Sequence, residues 1–208
     1  MAVINGTFNQ VVKASKDFGG SKVVFEGHPS LLVGGFFFTL TDLPAPGEVL
    51  PCGTPVNCDE ANRTITPVIT AKVSSVSSTT VNLVSNGGAF KVGDTVAEFP
   101  ANLATAAENY ATISAIEGNK LTLSAAITGL AANDVLVVVD ATSKKVKAVP
   151  NALLPYDVVR DENAISVDGD GMWANDRPIL ERRMPPVNDA IKAALVAAGC
   201  QFKWSNRK

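Results

Sequence analysis

The chain has 208 residues, of which 46% are hydrophobic and 18% are charged, so it is long enough for one or two domains with a real core. Its 18 Lys and Arg and 20 Asp and Glu leave a net charge of -2. Because no strong positive field exists to gather nucleic acid or an anionic membrane, we expect neither among its partners.

The first predicted element lies in LLVGGFFFTL (residues 31–40). This apolar stretch is too short for the ~20 residues that a membrane helix needs, and it is predicted to be a strand. Phe36, Phe37 and Phe38 must then point to both faces of that strand. Whether they lie in the core or at an interface between subunits stays open. The preceding N-terminal residues contain no charged segment followed by an apolar run, so we expect no signal peptide.

Alternating strands and turns are predicted next, in LPAPGEVLPCGTPVNCDE (residues 43–60). Gly47 and Gly53 can take backbone angles there that other residues avoid. A second segment of this kind, VKAVPNALLPYDVVRDEN (residues 146–163), follows about ninety residues later, with Pro150 and Pro155 at the edges of its strands.

Between these segments the chain repeats itself. AKVSSVSSTTVNL begins at residue 71 and ATISAIEGNKLTL begins at residue 111, forty residues later, and the register continues without a gap. A repeat at a fixed period indicates that the fold contains the same structural unit twice. The matched pairs include Ala71 with Ala111, Val73 with Ile113, Val81 with Leu121, Leu83 with Leu123 and Asp94 with Asp134.

Each copy has the pattern of a strand, a tight turn and a strand, because apolar and polar residues alternate on both sides of a polar turn. KVGDTVAEF and AANDVLVVV then predict a turn containing an Asp and a third strand in each copy. Since a lone hairpin is marginal in water, the six strands are predicted to pack as one small barrel or sandwich with pseudo-twofold symmetry. Chance similarity between two β segments rich in Ser and Val is the alternative.

The acidic segment DENAISVDGDG (residues 161–171) lacks the ligand spacing and the closing Glu of a calcium-binding EF-hand loop. Asp and Gly in this arrangement predict hairpin turns instead. Nearer the C-terminus, Pro185 and Pro186 precede a segment with apolar residues at helical spacing, and Gly199 is the predicted C-cap. The strand QFKW is expected to follow the helix. The apolar positions of the helix are Val187, Ile191, Ala194, Leu195 and Ala198.

Few residues in the sequence have side chains suited to catalysis or metal binding. Cys52, Cys58 and Cys200 have no CxxC spacing and fit reduced thiols, and His28 is the only histidine. Together they have the ligand count of a zinc site, and His28 with Cys52 or Cys200 has the composition of a nucleophilic pair. Nothing in the sequence orients His28, and the common nucleotide, hydrolase and metalloprotease motifs are absent. We expect no enzyme, with no catalytic, cofactor-binding or metal-binding residues.

The order of the outer segments resembles that of tailed-phage capsid decoration proteins and head fibre proteins. GEVLPCGTPV, NALLPYDVV, RPILERRMPPV and the terminal helix followed by AGCQFKW occur in that order, within residues 31–60 and 145–204. Cys200 stands where an aliphatic residue is usual in that family. The repeat at residues 66–140 is a departure from the compact decoration proteins and favours a fibre-like elaboration.

The composition, the repeat and the resemblance together predict a mainly β structure with three parts. Residues 1–30 would form a flexible N-terminal arm, residues 31–65 and 141–208 a discontinuous capsid-binding base with one C-terminal helix, and residues 66–140 an inserted duplicated β module. The resemblance further implies a homotrimer, made in the host cytoplasm, that binds the major capsid protein on the outside of the virion and stabilises the shell. The alternative is a module that binds a carbohydrate or a host-surface glycan.

Overall fold

The computed structural model describes residues 24–25 and 27–205. Most of the predicted arm, residues 1–23 and residue 26, therefore lies outside the described residues. The fold is mainly β, as the sequence predicted. The described strands are β1 (Pro29–Phe38), β2 (Val49–Leu50), β3 (Pro55–Asp59), β4 (Thr64–Pro67), β5 (Thr70–Ser77), β6 (Thr80–Leu83), β7 (Thr95–Glu98), β8 (Tyr110–Glu117), β9 (Lys120–Leu123), β10 (Val135–Val139), β11 (Ala152–Leu153), β12 (Val158–Val159), β13 (Asp168–Asn175), β14 (Ile179–Leu180) and β15 (Trp204–Ser205).

Five strands close a first barrel, the base barrel, in the order β1, β13, β11, β3 and β4. Strand β1 pairs antiparallel with β13 and parallel with β4, and a register shift between Leu32 and Phe36 interrupts its pairing with β13. Phe36 and Phe38 are 1% and 4% exposed, whereas Phe37 between them is 52% exposed. The predicted division of these aromatic residues between two faces is confirmed.

Six strands close a second barrel, the repeat barrel, in the order β10, β5, β6, β9, β8 and β7. Its pseudo-twofold axis is visible in the strand pairing. Val81 in β6 pairs with its own counterpart Leu121 in β9, and Ala97 in β7 pairs with its counterpart Val137 in β10. The predicted duplicated hairpin is therefore present, and it forms a closed barrel.

The two copies share their irregularities as well as their strands. Both hairpins have a bulge at the same position, between Val73 and Ser75 in one copy and between Ile113 and Ala115 in the other. Each turn also has a left-handed residue at matched places, which are Ser78 with Gly118 and Gly93 with Asn133. Since bulges and positive φ angles depend on local geometry, their repetition supports the gap-free alignment at forty residues.

The repeat barrel is inserted into the base barrel. Thr66 and Pro67 pair with β3 and belong to the base, so the repeat barrel begins at Thr70 and not at residue 66. Its first and last strands are neighbours, because Thr70 in β5 pairs with Val137 in β10. The two ends of the insert therefore leave the barrel side by side. On the other side of the sequence, β1 already begins at Pro29, within the predicted arm.

Smaller elements cover the base barrel. Strands β2 and β12 form one two-stranded sheet, and β14 and β15 form another. Helix α1 (Asp189–Ala197) begins after Asn188, whose side chain accepts a hydrogen bond from the backbone N–H of Ile191 at 3.0 Å. Gly199 follows the helix with φ +86°, as the predicted C-cap required. Short 3-10 helices occupy Leu40–Asp42, Gly87–Ala89 and Glu181–Arg183.

One predicted local structure is wrong. The DGDG end of the acidic segment does not form a hairpin turn, because Asp168–Gly171 is the start of β13 and pairs with β1. Gly169 and Gly171 face the interior of the base barrel, where a Cβ atom would lie 2.5 Å from Phe38 or from the Cys58 sulfur. Glycine is thus required there by packing and not by a turn.

The two barrels share a hydrophobic core. One continuous cluster contains Phe36, Val56 and Ile65 of the base together with Val81 and Leu121 of the insert. A second cluster joins Ala97 and Val137, on the outer surface of the repeat barrel, to Met172 of the base and to Ile191 and Leu195 of helix α1. In the part of the chain that is described, no helix has the length and apolar character needed to cross a membrane.

Candidate functional site

The residues that the sequence singled out for chemistry lie in different surroundings. His28 is exposed at the surface, where its Nδ1 lies 3.7 Å from Asp176 Oδ2 and its backbone N–H donates to Asp176 Oδ1 at 2.8 Å. Cys58 and Cys200 lie instead on either side of Asn151. The side-chain oxygen of Asn151 accepts from the Cys58 N–H at 2.7 Å, and its backbone oxygen accepts from the Cys200 thiol at 3.0 Å.

The thiols are held in their protonated form. Burial raises the pKa of Cys52 and of Cys58 to about 12 and that of Cys200 to about 11. Asp157 adds to the effect at Cys52, because its negative charge lies nearby and its carboxylate forms a hydrogen bond with the thiol. The same carboxylate accepts from the Cys52 backbone N–H at 2.7 Å. A thiol is nucleophilic only as the thiolate, so these cysteines are inert at neutral pH. Among residues 24–25 and 27–205, no three His, Cys, Asp or Glu side chains are grouped to hold a metal ion.

The base barrel presents an exposed aromatic and acidic surface instead. Phe37 points outward and pairs with Asp168 in the next strand, so the two side chains lie side by side on the same face. Asp170, two residues further along β13, faces the same way, and the O–H of Tyr156 donates to its Oδ2 at 2.8 Å. We call this surface the attachment face and define it by Phe37, Tyr156, Asp168 and Asp170.

The electrostatics of the attachment face orient its tyrosine. The pKa of Tyr156 is raised well above its ordinary value, first by burial, then by the hydrogen bond to Asp170 and by the negative charges of Asp170 and Asp168. Tyr156 therefore stays protonated and remains a hydrogen-bond donor to Asp170. Its ring is still 43% exposed, and Ile165, on the loop that enters β13, is 95% exposed. Exposed apolar groups beside carboxylates suit a protein surface that offers apolar and basic groups.

Sequence reasoning identified Phe37 but missed the other three residues of the attachment face. They were hidden because Phe37 and Asp168 are neighbours only through the pairing of β1 with β13, which spans most of the chain. The alternation in VDGDG, with Asp168 and Asp170 at every second position, was the available signal for a strand with an acidic face.

No protein-family model, curated protein or solved structure matches this chain. The geometry of the attachment face suits binding to another protein surface.

Proposed function

We propose that this chain is a non-enzymatic capsid decoration or head fibre protein of a tailed bacteriophage. It binds the outside of the shell as a homotrimer through its base and projects the repeat barrel. The observation that carries the proposal is the way in which the segments that resemble those proteins meet in the base. Val49 and Leu50 of GEVL pair with Val158 and Val159 of DVV. Ile179 and Leu180 of RPIL pair with Trp204, the last residue of QFKW, and with Ser205, which follows it.

These pairings support a base that is one unit despite its division in the sequence. The β2 and β12 strands are separated by the whole insert, yet they form one sheet. Insertion of a closed barrel into such a base is tolerated because the ends of the insert are adjacent. A base that binds and an insert that projects is the arrangement expected of a head fibre.

The attachment face supplies the surface that the proposal needs. Burying the exposed part of Phe37 against a neighbouring subunit contributes a share of the ~1.5–3 kcal/mol that full burial of such a side chain is worth. Threefold rings use heterologous contacts, in which one patch meets a different patch on the next copy, so a surface that is not self-complementary is suitable. The acidic groups Asp168 and Asp170 would then face basic groups of the next subunit or of the major capsid protein.

Stabilisation of the shell follows from mass action and requires no reaction. A protein that binds the mature shell and not its precursor favours the mature form by its differential affinity, multiplied over many sites. On this proposal the protein is made in the host cytoplasm and resides on the capsid exterior.

Imaging of phage particles tests the proposal directly. Shells that lack the protein are incubated with the purified full-length chain and are examined by electron cryomicroscopy. We expect density at local threefold positions, with the base barrel against the shell and the repeat barrel outside it. A chain that is strictly monomeric at high concentration and adds no density to such shells would contradict the proposal.

A further inference from the structure

A cleft of about 750 Å³ lies where the two barrels meet, and its lining shares no residue with the attachment face. Glu48 and Val49 of the base form one wall. The other wall comes from the repeat barrel, through residues 85–92 of its first copy and the Gly118–Asn119 turn of its second. This volume is in the range of ~300–1,000 Å³ that is typical of small-molecule sites. We call it the interbarrel cleft.

The interbarrel cleft lies where the two copies of the repeat differ. Gly87 and Gly88 of the first copy stand at the positions of Ile127 and Thr128 in the second. Ile127 buries its side chain, whereas a Cβ atom at Gly87 would lie 2.2 Å from the Gly118 backbone oxygen. The Gly87 N–H donates to Asn119 Oδ1 at 3.0 Å. The two glycines thus bring the Gly118–Asn119 turn to the cleft wall and leave open a space that side chains would occupy.

The lining offers polar groups above an apolar floor. Val49, Ala89 and Phe90 are buried beneath the cleft, and Val92 is exposed at its rim. The Glu48 carboxylate lies over Gly88, where a Cβ atom would be 2.4 Å from its Oε2. Ser85, Asn86 and Asn119 add a hydroxyl group and two amides.

Asn86 contains an unused acceptor in the wall of the cleft. Its backbone is left-handed, with φ 70°, and its Nδ2 donates to the Thr70 backbone oxygen at 2.8 Å. Its Oδ1 is buried and has no hydrogen-bond partner among the described residues. A buried acceptor without a partner costs free energy, so a ligand donor that reached Oδ1 after rotation of this side chain would offset that cost.

The charges of the cleft select against anions. Lys91 is the one cationic residue among the described lining residues, but its ammonium group already donates to the backbone oxygens of Thr41 and Leu43 and lies 3.6 Å from Asp94 Oδ1. Glu48 contributes a negative charge at the opposite wall. A ligand that satisfies these groups carries several hydroxyls, which donate to Glu48 and Asn86 and accept from Asn119, and an apolar face for Val92. We infer that the interbarrel cleft is a binding site for a neutral saccharide.

Saturation-transfer NMR on the full-length protein tests this inference. The probes are glucose, galactose, mannose, N-acetylglucosamine and N-acetylgalactosamine at millimolar concentration, with N-acetylneuraminic acid as the anionic comparison. We expect transfer to at least one neutral sugar and a weaker signal for the acid. Absence of transfer to all five neutral sugars, or a stronger signal for the acid, would overturn the inference.

Two variants and a matched control locate the site. Glu48→Gln removes the charged acceptor and should weaken binding on the order of tenfold. Gly88→Leu fills the cleft, and its Cβ atom meets only the Glu48 side chain. Thr128→Leu places a leucine at the equivalent exposed position of the second copy and should leave binding unchanged. Equal loss in Thr128→Leu and Gly88→Leu would place the sugar elsewhere. Unaltered binding by Glu48→Gln would also overturn the inference, even if Gly88→Leu fails to fold.

The saccharide site and the capsid-binding proposal fail independently. Glu48 and Gly88 are not part of the attachment face, so the two variants should decorate shells as the parent does. Sugar binding by a chain that never binds shells would leave the inference standing without the proposed function.

Discussion

At the scale of single residues, the three consecutive phenylalanines have two different roles. Phe36 and Phe38 fill the interior of the base barrel, and Phe37 between them lies on the attachment face. The sequence predicted that they point to both faces of a strand but left core and interface open. Strand alternation could not decide which face is buried, because that depends on how β1 closes against β4 and β13.

Substitutions of Phe37 and of Phe36 should therefore have different consequences, one for assembly and one for folding. Phe37→Asp places a charge on an exposed position beside Asp168, so we expect a folded chain that no longer forms trimers or binds shells. Phe36→Asp buries an unpaired charge, so we expect the base to unfold. Circular dichroism reports the fold, and light scattering reports the mass. A Phe37→Asp protein that remains trimeric would show that the attachment face is not the subunit interface, and Phe37→Tyr serves as the conservative control.

The protonated thiols make the stability of the protein sensitive to alkali. Burial raises the pKa of Cys58 from 9.0 to about 12. Above pH 9 the unfolded chain loses this proton while the folded chain keeps it, so the free energy of unfolding falls as the pH rises from 9 towards 12. Below pH 9 this contribution is fully present.

Thermal unfolding at a series of pH values from 8 to 11 measures this effect. We expect the melting temperature to fall above pH 9, and to fall less steeply in Cys58→Ala. The raised pKa of Tyr156 acts in the same direction at higher pH, so Tyr156→Phe separates the two contributions. An unchanged slope in Cys58→Ala would assign the alkaline loss to other groups.

At the scale of elements, the repeated turns offer a matched pair of aspartates. Asp94 Oδ2 accepts from the Lys91 backbone N–H at 3.1 Å, and Asp134 Oδ2 accepts from the Ala131 backbone N–H at 2.7 Å. Their surroundings differ, because Asp94 is buried and lies 3.6 Å from the Lys91 ammonium group. The equivalent position in the second copy is Ala131, which offers no charge.

Removing each aspartate should reveal that difference. We expect Asp134→Ala to lower the free energy of unfolding by roughly 0.5–1.5 kcal/mol, because its hydrogen bond is exposed to solvent. We expect Asp94→Ala to cost roughly 1.5–3 kcal/mol, because Asp94 is buried and also lies beside the Lys91 ammonium group. Urea unfolding of both variants measures the comparison. Equal losses would show that burial and Lys91 add nothing at the first turn.

Elements with local determinants were predictable from the sequence. The hairpins of the repeat follow from alternation around polar turns, and helix α1 ends two residues before Gly199, which has the positive φ that the predicted cap required. Segment DGDG was misjudged because Asp and Gly usually mark turns, and only the close approach of Phe38 to Gly169 explains a strand with glycines there. Tertiary packing overrode the local preference.

At the scale of the whole molecule, the repeat barrel is closed on itself but shares its core with the base. We predict that residues 66–140 expressed alone give a β-type circular dichroism spectrum and a cooperative thermal transition. The melting temperature should be lower than in the full chain, since Ala97 and Val137 lose the cover of the second cluster. A disordered spectrum would contradict the prediction that the insert folds independently.

The closure of the base barrel was beyond sequence reasoning. It depends on a parallel pairing of β1 with β4 and on the pairings of β3 with β11 and of β1 with β13 across the insert, and none of these leaves a periodic signal. The interbarrel cleft was equally hidden, because it arises where Glu48 approaches Gly88 from a distant part of the chain.

Because the two ends of the insert are adjacent, we expect the insert to fold before the base barrel closes. Hairpins form from local contacts and form early, whereas β1 must wait for β13, which is synthesised last among the strands of its barrel. Once β5 has paired with β10, the chain on either side of the insert is drawn together, so the loop that the base must close becomes far shorter. We therefore predict that the insert folds first and brings the two parts of the base together. A substitution that slows the insert would prolong the time during which β1, β3 and β4 expose unpaired edges, and its first symptom would be aggregation of the nascent protein.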